Sequence, residues 1–287
     1  MFTQKAWEDL DITDNFIFLK VMQRGDICRR FLTHLLRVPL ERVSYPETEK
    51  TVDTAFNAKA VRLDVFAEAE GQQYDIEMQT TNDPKENPVA LRSRYYQSAM
   101  DQFQLGKGKN YAQLGESFVI FICTFDPFGL GRAQYTFRYR CDEDPDLVLN
   151  DKTTKIFLYI YGDTEGLDAE LCGFLRYAAG LPATGRLAQD VDEAVRSVKA
   201  DANARKEFMT LAMEMQRYVD THQDDWYADG KADGEAKGKT DAARAMLADN
   251  MSIPLIAKYT GLSLEQIQAL NASTQPGSSG STSAPAP

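Results

Sequence analysis

The sequence is poor in histidine, cysteine and uninterrupted apolar stretches. His34 and His222 are its only histidines. That weakens the case for mechanisms built on a histidine nucleophile, a histidine base with its partner, or a histidine-rich metal cluster, and His34, inside FLTHLLR, reads as a helix residue. The cysteines, Cys28, Cys123, Cys141 and Cys172, are scattered without a C-x-x-C pair. They read as reduced, mostly buried thiols rather than a zinc site. No apolar run reaches the length that spans a bilayer, and MFTQKAWEDLDITD has no basic flank leading into an apolar segment. The expectation is a soluble, cytoplasmic chain without a membrane partner.

Positive charge is also scarce: 32 Lys and Arg stand against 43 Asp and Glu, for a net charge of −11. The deficit is local. Residues 1–56 hold 8 basic and 9 acidic residues, 57–140 hold 10 and 10, and 141–287 hold 14 and 24. The excess acid is therefore C-terminal, and the middle of the chain is balanced, with positive charge beside aromatics and glycines in RSRYYQS and GKGKNY. Phosphate contact draws on Lys and Arg and weakens steeply with salt, so a balanced segment implies modest DNA affinity unless metal or oligomerisation adds to it.

What the sequence does contain is an unusual polar alternation. In YDIEMQ, Asp75, Glu77 and Gln79 fall on one side of an extended chain and Ile76 and Met78 on the other. The upstream VRLDVFAEAEG reads as the partner strand of a hairpin turning at Glu70-Gly71. A two-residue loop sets Asp64 opposite Glu77, Phe66 opposite Asp75 and Arg62 opposite Gln79, with Leu63, Val65, Ile76 and Met78 on the other face. Carboxylates facing each other at a Cβ separation of about 5 Å repel, and a divalent metal resolves the repulsion. Magnesium takes one or two protein carboxylates and completes its shell with water and substrate phosphate. The plainer alternative is a solvated face of an antiparallel sheet.

KAVRLDVFAEAEGQQYDIEMQ, followed by RSRYYQSAMDQFQLGKGKNYAQLGESFVIFICTFDPFGLGRAQYTF and preceded by DNFIFLKVM, resembles the PD-(D/E)XK nuclease family transposases, the Rpn or recombination-promoting nuclease group, from about Asp11 to Tyr177. In that superfamily an Asp on one strand and an (Asp/Glu)-x-Lys on the next bind magnesium and cut phosphodiester bonds. The resemblance makes Asp64 and Glu77 the metal ligands for Mg2+ or Mn2+ and places Gln79 at the Lys position, as in this subgroup. Glutamine carries no charge, so it orients the attacking water without stabilising the transition state electrostatically. The RSRYYQ motif implies that Arg92, Arg94 and Gln97 face the site and hold phosphate, beside Arg62, against the alternative of an exposed helix with surface arginines. Asp14 matches an acid of the opening helix, but its position before that helix reads as a cap.

The remaining pattern predicts one amphipathic helix over DNFIFLKVMQRGDICRRFLTHLL stopped by Pro39, and a helix over VALRSRYYQSAMDQFQL. SFVIFICTF reads as a strand covered on both faces, AQYTFRYRC and TKIFLYIYG as further strands, and LDAELCGFLRYAAG as a helix. The expected fold is α/β, a restriction-endonuclease-like mixed sheet flanked by helices, with a helical C-terminal extension. The expected domains are a nuclease-like domain over 1–180, a charged helical association region over 181–248, a helix-turn-helix-like tail over 249–272 and a disordered tail over 273–287. Gly230, Gly234 and Gly238 recur every four residues among charges, which suits a solvated helix and a candidate surface for homo-oligomerisation rather than a membrane contact. The second helix of the tail offers Ser263, Glu265 and Gln266 and no basic residue, so it favours a protein contact over DNA reading.

Three functions follow. The first is a magnesium-dependent DNA endonuclease working in recombination, transposition or phage defence, with Asp64, Glu77 and Gln79 catalytic. The second is a weak or inactive nuclease fold acting as a DNA-binding or interaction module, favoured by the Lys to Gln departure. The third is an acid/base hydrolase such as a glycosidase, using the same carboxylate pair. Dependence on a metal ion separates them.

Overall fold

A computed structural model of the chain describes residues 5–45, 64–83, 88–105 and 108–274. Arg62 and the predicted Arg62–Gln79 pairing lie outside the described residues. Two compact units are present, Met1–Met209 and Thr210–Pro287.

The N-terminal segment forms two helices instead of the one expected: α1 (Asn15–Met22) and α2 (Gly25–Leu36). The break falls at Arg24, whose backbone is extended (φ −78°, ψ 106°). The turn lets both helices bury their apolar stripes, Ile17, Phe18 and Val21 from the first and Ile27, Phe31, Leu32 and Leu35 from the second. A continuous helix fits the local periodicity, but burial of both stripes against one sheet outweighs it. Asp14 stands at the N-cap position of α1 without capping it. Its carboxylate accepts instead from the Asp11 N–H (2.7 Å) and from Lys5 Nζ (3.0 Å).

Strands β1 (Val65–Ala69) and β2 (Gln72–Gln79) form the predicted hairpin in the predicted register, Val65 opposite Ile76 and Phe66 opposite Asp75. Both loop residues take positive φ, 52° at Glu70 and 78° at Gly71. That backbone matches the twist of a tight two-residue hairpin; glycine adopts it at no steric cost and glutamate does not. After α3 (Val89–Gln104) come β3 (Ser117–Cys123), β4 (Gln134–Phe137) and β5 (Thr153–Tyr159). The five-stranded sheet runs β1-β2-β3-β5-β4, with β2, β3 and β5 parallel and β1 and β4 antiparallel at the edges. Every residue of β3 is buried, as its unbroken apolar run requires.

Strand alternation divides the core between the two faces. Val65, Tyr74, Ile76, Met78, Ile120, Ile122, Ile156 and Leu158 pack with α1, α2, α4 (Ala169–Ala178) and α5 (Arg186–Ala200). Val119, Phe121, Cys123, Tyr135 and Phe157 pack on the opposite face, where α3 contributes Val89 and Met100. The mixed sheet flanked by helices is the fold class expected.

The expected boundary at 180 moves, because α5 belongs to the core. Leu187, Val191, Ala194, Val195 and Val198 are buried in it. The Trp7 indole N–H donates to the Lys199 carbonyl (3.2 Å), and Lys199 Nζ donates to the carbonyls of Glu8 and Leu10. Charge at the exposed positions of α5 hides this stripe from a reading of composition alone.

Helix α6 (Ala202–Ala248) is followed by α7 (Ile253–Thr260) and α8 (Leu264–Thr274). Gly261 ends α7 in the left-handed conformation, φ 70°. Ala243, Ile256 and Ile267 are buried together, with Met246, Leu247 and Leu262 packed on them. The two-helix tail is thus closed by the last turns of α6, which the sequence boundary at 249 leaves out. Gly234 and Gly238 have open space at their Cα atoms. Among the described residues no helix is long and apolar enough to cross a membrane.

Candidate active site

The polar side of β2 is not solvated. Asp75 is 0% exposed, Glu77 2% and Gln79 7%, because α3 lies over the sheet on that side, with Arg92 and Tyr96, and Ser93 and Gln97, each one turn apart. Asp64 sits just before β1, half-buried. Its backbone N–H donates to Glu77 Oε1 (2.7 Å), which brings Asp64 to Glu77 one residue beyond the last paired residues, Val65 and Ile76.

Arg92 is the cation of this face. Its Nη1 donates to Gln79 Oε1, and its Nη2 reaches Glu77 Oε2 (3.3 Å) and the Tyr96 hydroxyl (2.6 Å). The guanidinium lies over the Tyr96 and Phe121 rings at 5.1 and 5.3 Å. Arg92 thus bridges the second acid and the residue at the Lys position. Gln79 is fully engaged on its donor side, where Nε2 gives hydrogen bonds to the Thr81 carbonyl and hydroxyl, both at 3.2 Å.

The other two residues of the RSRYYQ segment lie elsewhere. Arg94 is exposed on the flank of α3, in a cleft formed with β5 and the chain after β4. Gln97 is buried at the far end of β2, donating to Ser117 Oγ (2.6 Å) and Asp101 Oδ1 (2.9 Å). Since Ser117 pairs with Gln73, Gln97 stands about 20 Å along the strand from Gln79. The spacing of Arg94 and Gln97 on one helix did not bring them together.

Asp75 is the member of the site that the sequence reading left without a role. The signal was present, since Asp75 shares the parity of Glu77 and Gln79. Burial first, then the charge of Glu77, push the Asp75 carboxyl well above its ordinary value of 3.8. Burial, then the charge of Asp64, push Glu77 up to about 8, although the Asp64 N–H and Arg92 hold it down. Asp75 interacts with the Glu77 carboxyl, yet at ordinary hydrogen-bond geometry neither of its oxygens has a partner; Gln73 Oε1 and Gln97 Oε1 are likewise unsatisfied. All these orphans are oxygen acceptors, and such groups are costly to bury without a proton, a water or a cation.

This donor set suits a hard divalent cation: carboxylate oxygens, a proton affinity raised by burial and then by neighbouring negative charge, and the unsatisfied oxygens of Asp75. Asp64 is the half-buried member of the three acids, and Glu77 and Asp75 are buried. Among the described residues no three His, Cys, Asp or Glu side chains already converge as a preformed metal cage. Magnesium does not require one, since it draws most of its shell from water and phosphate.

No curated protein and no solved structure matches the chain. One family model does match, that of the PD-(D/E)XK nuclease family transposase, over residues 17–160. The matched span runs from α1 through the end of β5, and so contains the sheet, α3 and the buried acids. Nucleases of this kind typically use divalent metals and act on DNA, and a nuclease role is what the match implies. Half of the chain, including every residue of the site, lies within that model, and the chain belongs to the PD-(D/E)XK nuclease family transposases.

Proposed function

We propose that the protein is a divalent-metal-dependent DNA endonuclease, serving recombination, transposition or phage defence, whose missing lysine charge is supplied by Arg92. One observation carries this reading: Arg92 hydrogen-bonds Glu77 and Gln79 together, placing a permanent cation beside the position where the superfamily has Lys.

In this reading Asp64 and Glu77 hold Mg2+ or Mn2+, and Asp75 lies buried beside Glu77 and interacts with its carboxyl. The bound ion supplies Lewis-acid polarisation of the phosphodiester and an acidified water. Gln79, gripped by Thr81, orients the guanidinium, and its amide oxygen, which has two acceptor lone pairs and accepts from Arg92, has capacity for a water proton as well. Arg92 stabilises charge developing on phosphate oxygens, a task suited to its fork of donors. Arg94 meets phosphate at the rim. Gln97 ties α3 to β3 at the other end of the sheet, which fixes the height of Arg92 over Glu77.

A second reading, an inactive nuclease fold that binds DNA, is favoured by the same ion pair, because Arg92 already neutralises Glu77. Plasmid cleavage measured with magnesium, with manganese and with chelator tests both. Nicking that needs the ion and is lost in Asp64→Ala supports the nuclease; binding without nicking in any metal supports the module. Cleavage that persists in chelator overturns both.

A further inference from the structure

A second concave surface lies on the α3 side of the sheet. Its volume is about 340 Å³, and Leu91 and Arg94 of α3, Phe157 of β5, and Phe137, Arg138 and Tyr139 at the end of β4 are among its walls. Phe137 and Tyr139 are 45% and 50% exposed, which is unusual for adjacent aromatics on a cleft wall. Arg94, Arg138 and Lys155 bring positive charge, and among the described residues none that lines it is acidic. Arg138 Nε donates to Thr154 Oγ1 (3.3 Å) and Lys155 Nζ to the Tyr139 hydroxyl (3.4 Å). Among the described residues none of the three cations is paired with a carboxylate. In a chain of net charge −11, a concave patch whose described lining combines three cations with four aromatic rings is complementary to an anionic ligand with a flat apolar part.

The cleft and the acid site lie on the same, α3-covered side of the sheet and are linked through packed rings of the core. The Arg92 guanidinium lies over Phe121, Phe121 stacks on Phe157 (5.5 Å between centroids), and Phe128 and Phe137 meet Phe157 edge-on at 5.0 and 5.7 Å. One row of rings therefore joins the cation beside Glu77 to the cleft wall.

We propose that this cleft holds a single unpaired nucleotide of the DNA strand being cut, its base against Tyr139 and Phe137 and its neighbouring phosphates on Arg94, Arg138 and Lys155. The volume lies at the lower end of ligand pockets, about 300–1,000 Å³, and suits one nucleoside rather than a paired segment. Stacking on exposed rings flanked by cations is the sequence-tolerant way proteins hold single strands. A base can enter only if the substrate is single-stranded or locally opened, so the cleft selects unpaired DNA near the scissile bond. This inference rests on the nuclease reading for its substrate, but binding tests it separately from cleavage.

The full chain, in chelator, is titrated into a single-stranded oligonucleotide carrying a base analogue whose fluorescence is quenched on stacking, and into the matching duplex. Wild type should bind the single strand more tightly and quench the analogue. Tyr139→Ala should weaken single-strand binding by about 5- to 150-fold and abolish quenching, Tyr139→Phe should restore both, and duplex binding should not change. Arg94→Ala, at an exposed helix position, should weaken the single strand with quenching retained at saturation. No binding of the single strand, binding without quenching, or equal losses for single strand and duplex in Tyr139→Ala would overturn the proposal. Restoring magnesium or manganese to the same samples reads the other question: quenching without cleavage keeps the cleft and sinks the nuclease, and cleavage without quenching does the reverse.

Discussion

Arg92 Nη2 stands 3.3 Å from Glu77 Oε2, and Nη1 of the same guanidinium donates to Gln79 Oε1. The helix after the hairpin thus returns to the second acid the positive charge that its own strand lacks. Arg92→Ala should lower cleavage by about 100- to 1,000-fold, the usual effect of removing one transition-state donor. Arg92→Lys should recover part of the rate, since a point charge replaces a fork. Gln79→Leu should lower the rate less, because Arg92 keeps its bond to Glu77. Initial rates on supercoiled plasmid check the order; Arg92→Ala at wild-type rate would remove the guanidinium from the mechanism.

Asp64→Ala and Glu77→Gln should each abolish metal-dependent cleavage with the fold retained. In chelator, Glu77→Gln should melt at or above the wild-type temperature, because a buried acid beside Asp75 and Asp64 raises the energy of the metal-free protein. Thermal melts with and without magnesium should show the ion stabilising wild type and leaving Glu77→Gln unchanged. A variant stabilised by magnesium as much as wild type would move the ion elsewhere.

The metal-free protein should lose stability as pH rises. The Glu77 carboxyl titrates near 8 in the fold and near 4.5 when free. Between those values the folded state holds the extra proton, so the unfolding free energy falls across that window and levels off above it. Asp75, shifted in the same direction, extends the fall. Melting temperatures in chelator from pH 5 to 9, read with wild type and Glu77→Gln, should show a steeper decline in wild type, with about 2–4 °C lost per kcal/mol. Parallel curves would place the titration on other groups.

Asp168 caps α4, its Oδ1 accepting from the N–H groups of Glu170 (2.9 Å) and Leu171 (3.2 Å) and lying 2.9 Å from His34 Nδ1. Its burial works against the charged form, but these bonds hold its carboxyl below the ordinary 3.8. Asp168→Ala should cost about 1 kcal/mol at neutral pH, and Asp168→Asn less. The carboxylate's contribution is present above its ordinary value and lost as pH falls through the depressed one, so wild type and Asp168→Ala should converge in strong acid. Urea titrations at neutral and acid pH measure both.

A chain ending after Met209 should bind DNA at least as well as the full chain, with a similar salt slope, because the removed residues 210–287 hold 10 acidic against 6 basic residues and α8 carries no Lys or Arg. The cut belongs there and not near Gly180, since α5 fills the core and Phe208 packs on Trp7 (5.4 Å between centroids). Gel shifts at two salt concentrations, with mass by light scattering, decide it. Loss of DNA binding by a folded chain of unchanged oligomeric state would make the tail the DNA-reading module.

The sequence by itself determined what is local. The alternation of β2 and the length of the Glu70-Gly71 loop set the hairpin register, because strand period and loop length leave little choice. The unbroken apolar run set β3 as a central strand, and helical spacing set α3. Tertiary structure decided whatever depends on residues far apart in the chain. It turned the polar face of β2 from a surface into an interior, because α3 lands on it, and that burial lifts the proton affinities of Asp75 and Glu77. It chose Arg92 over Arg94 and Gln97 as the partner of Glu77, because helix height and rotation over a sheet are set by packing across the whole interface. It broke the opening helix at Arg24 and drew α5 into the core, since two apolar stripes needed one sheet, and no local pattern records where that sheet will be.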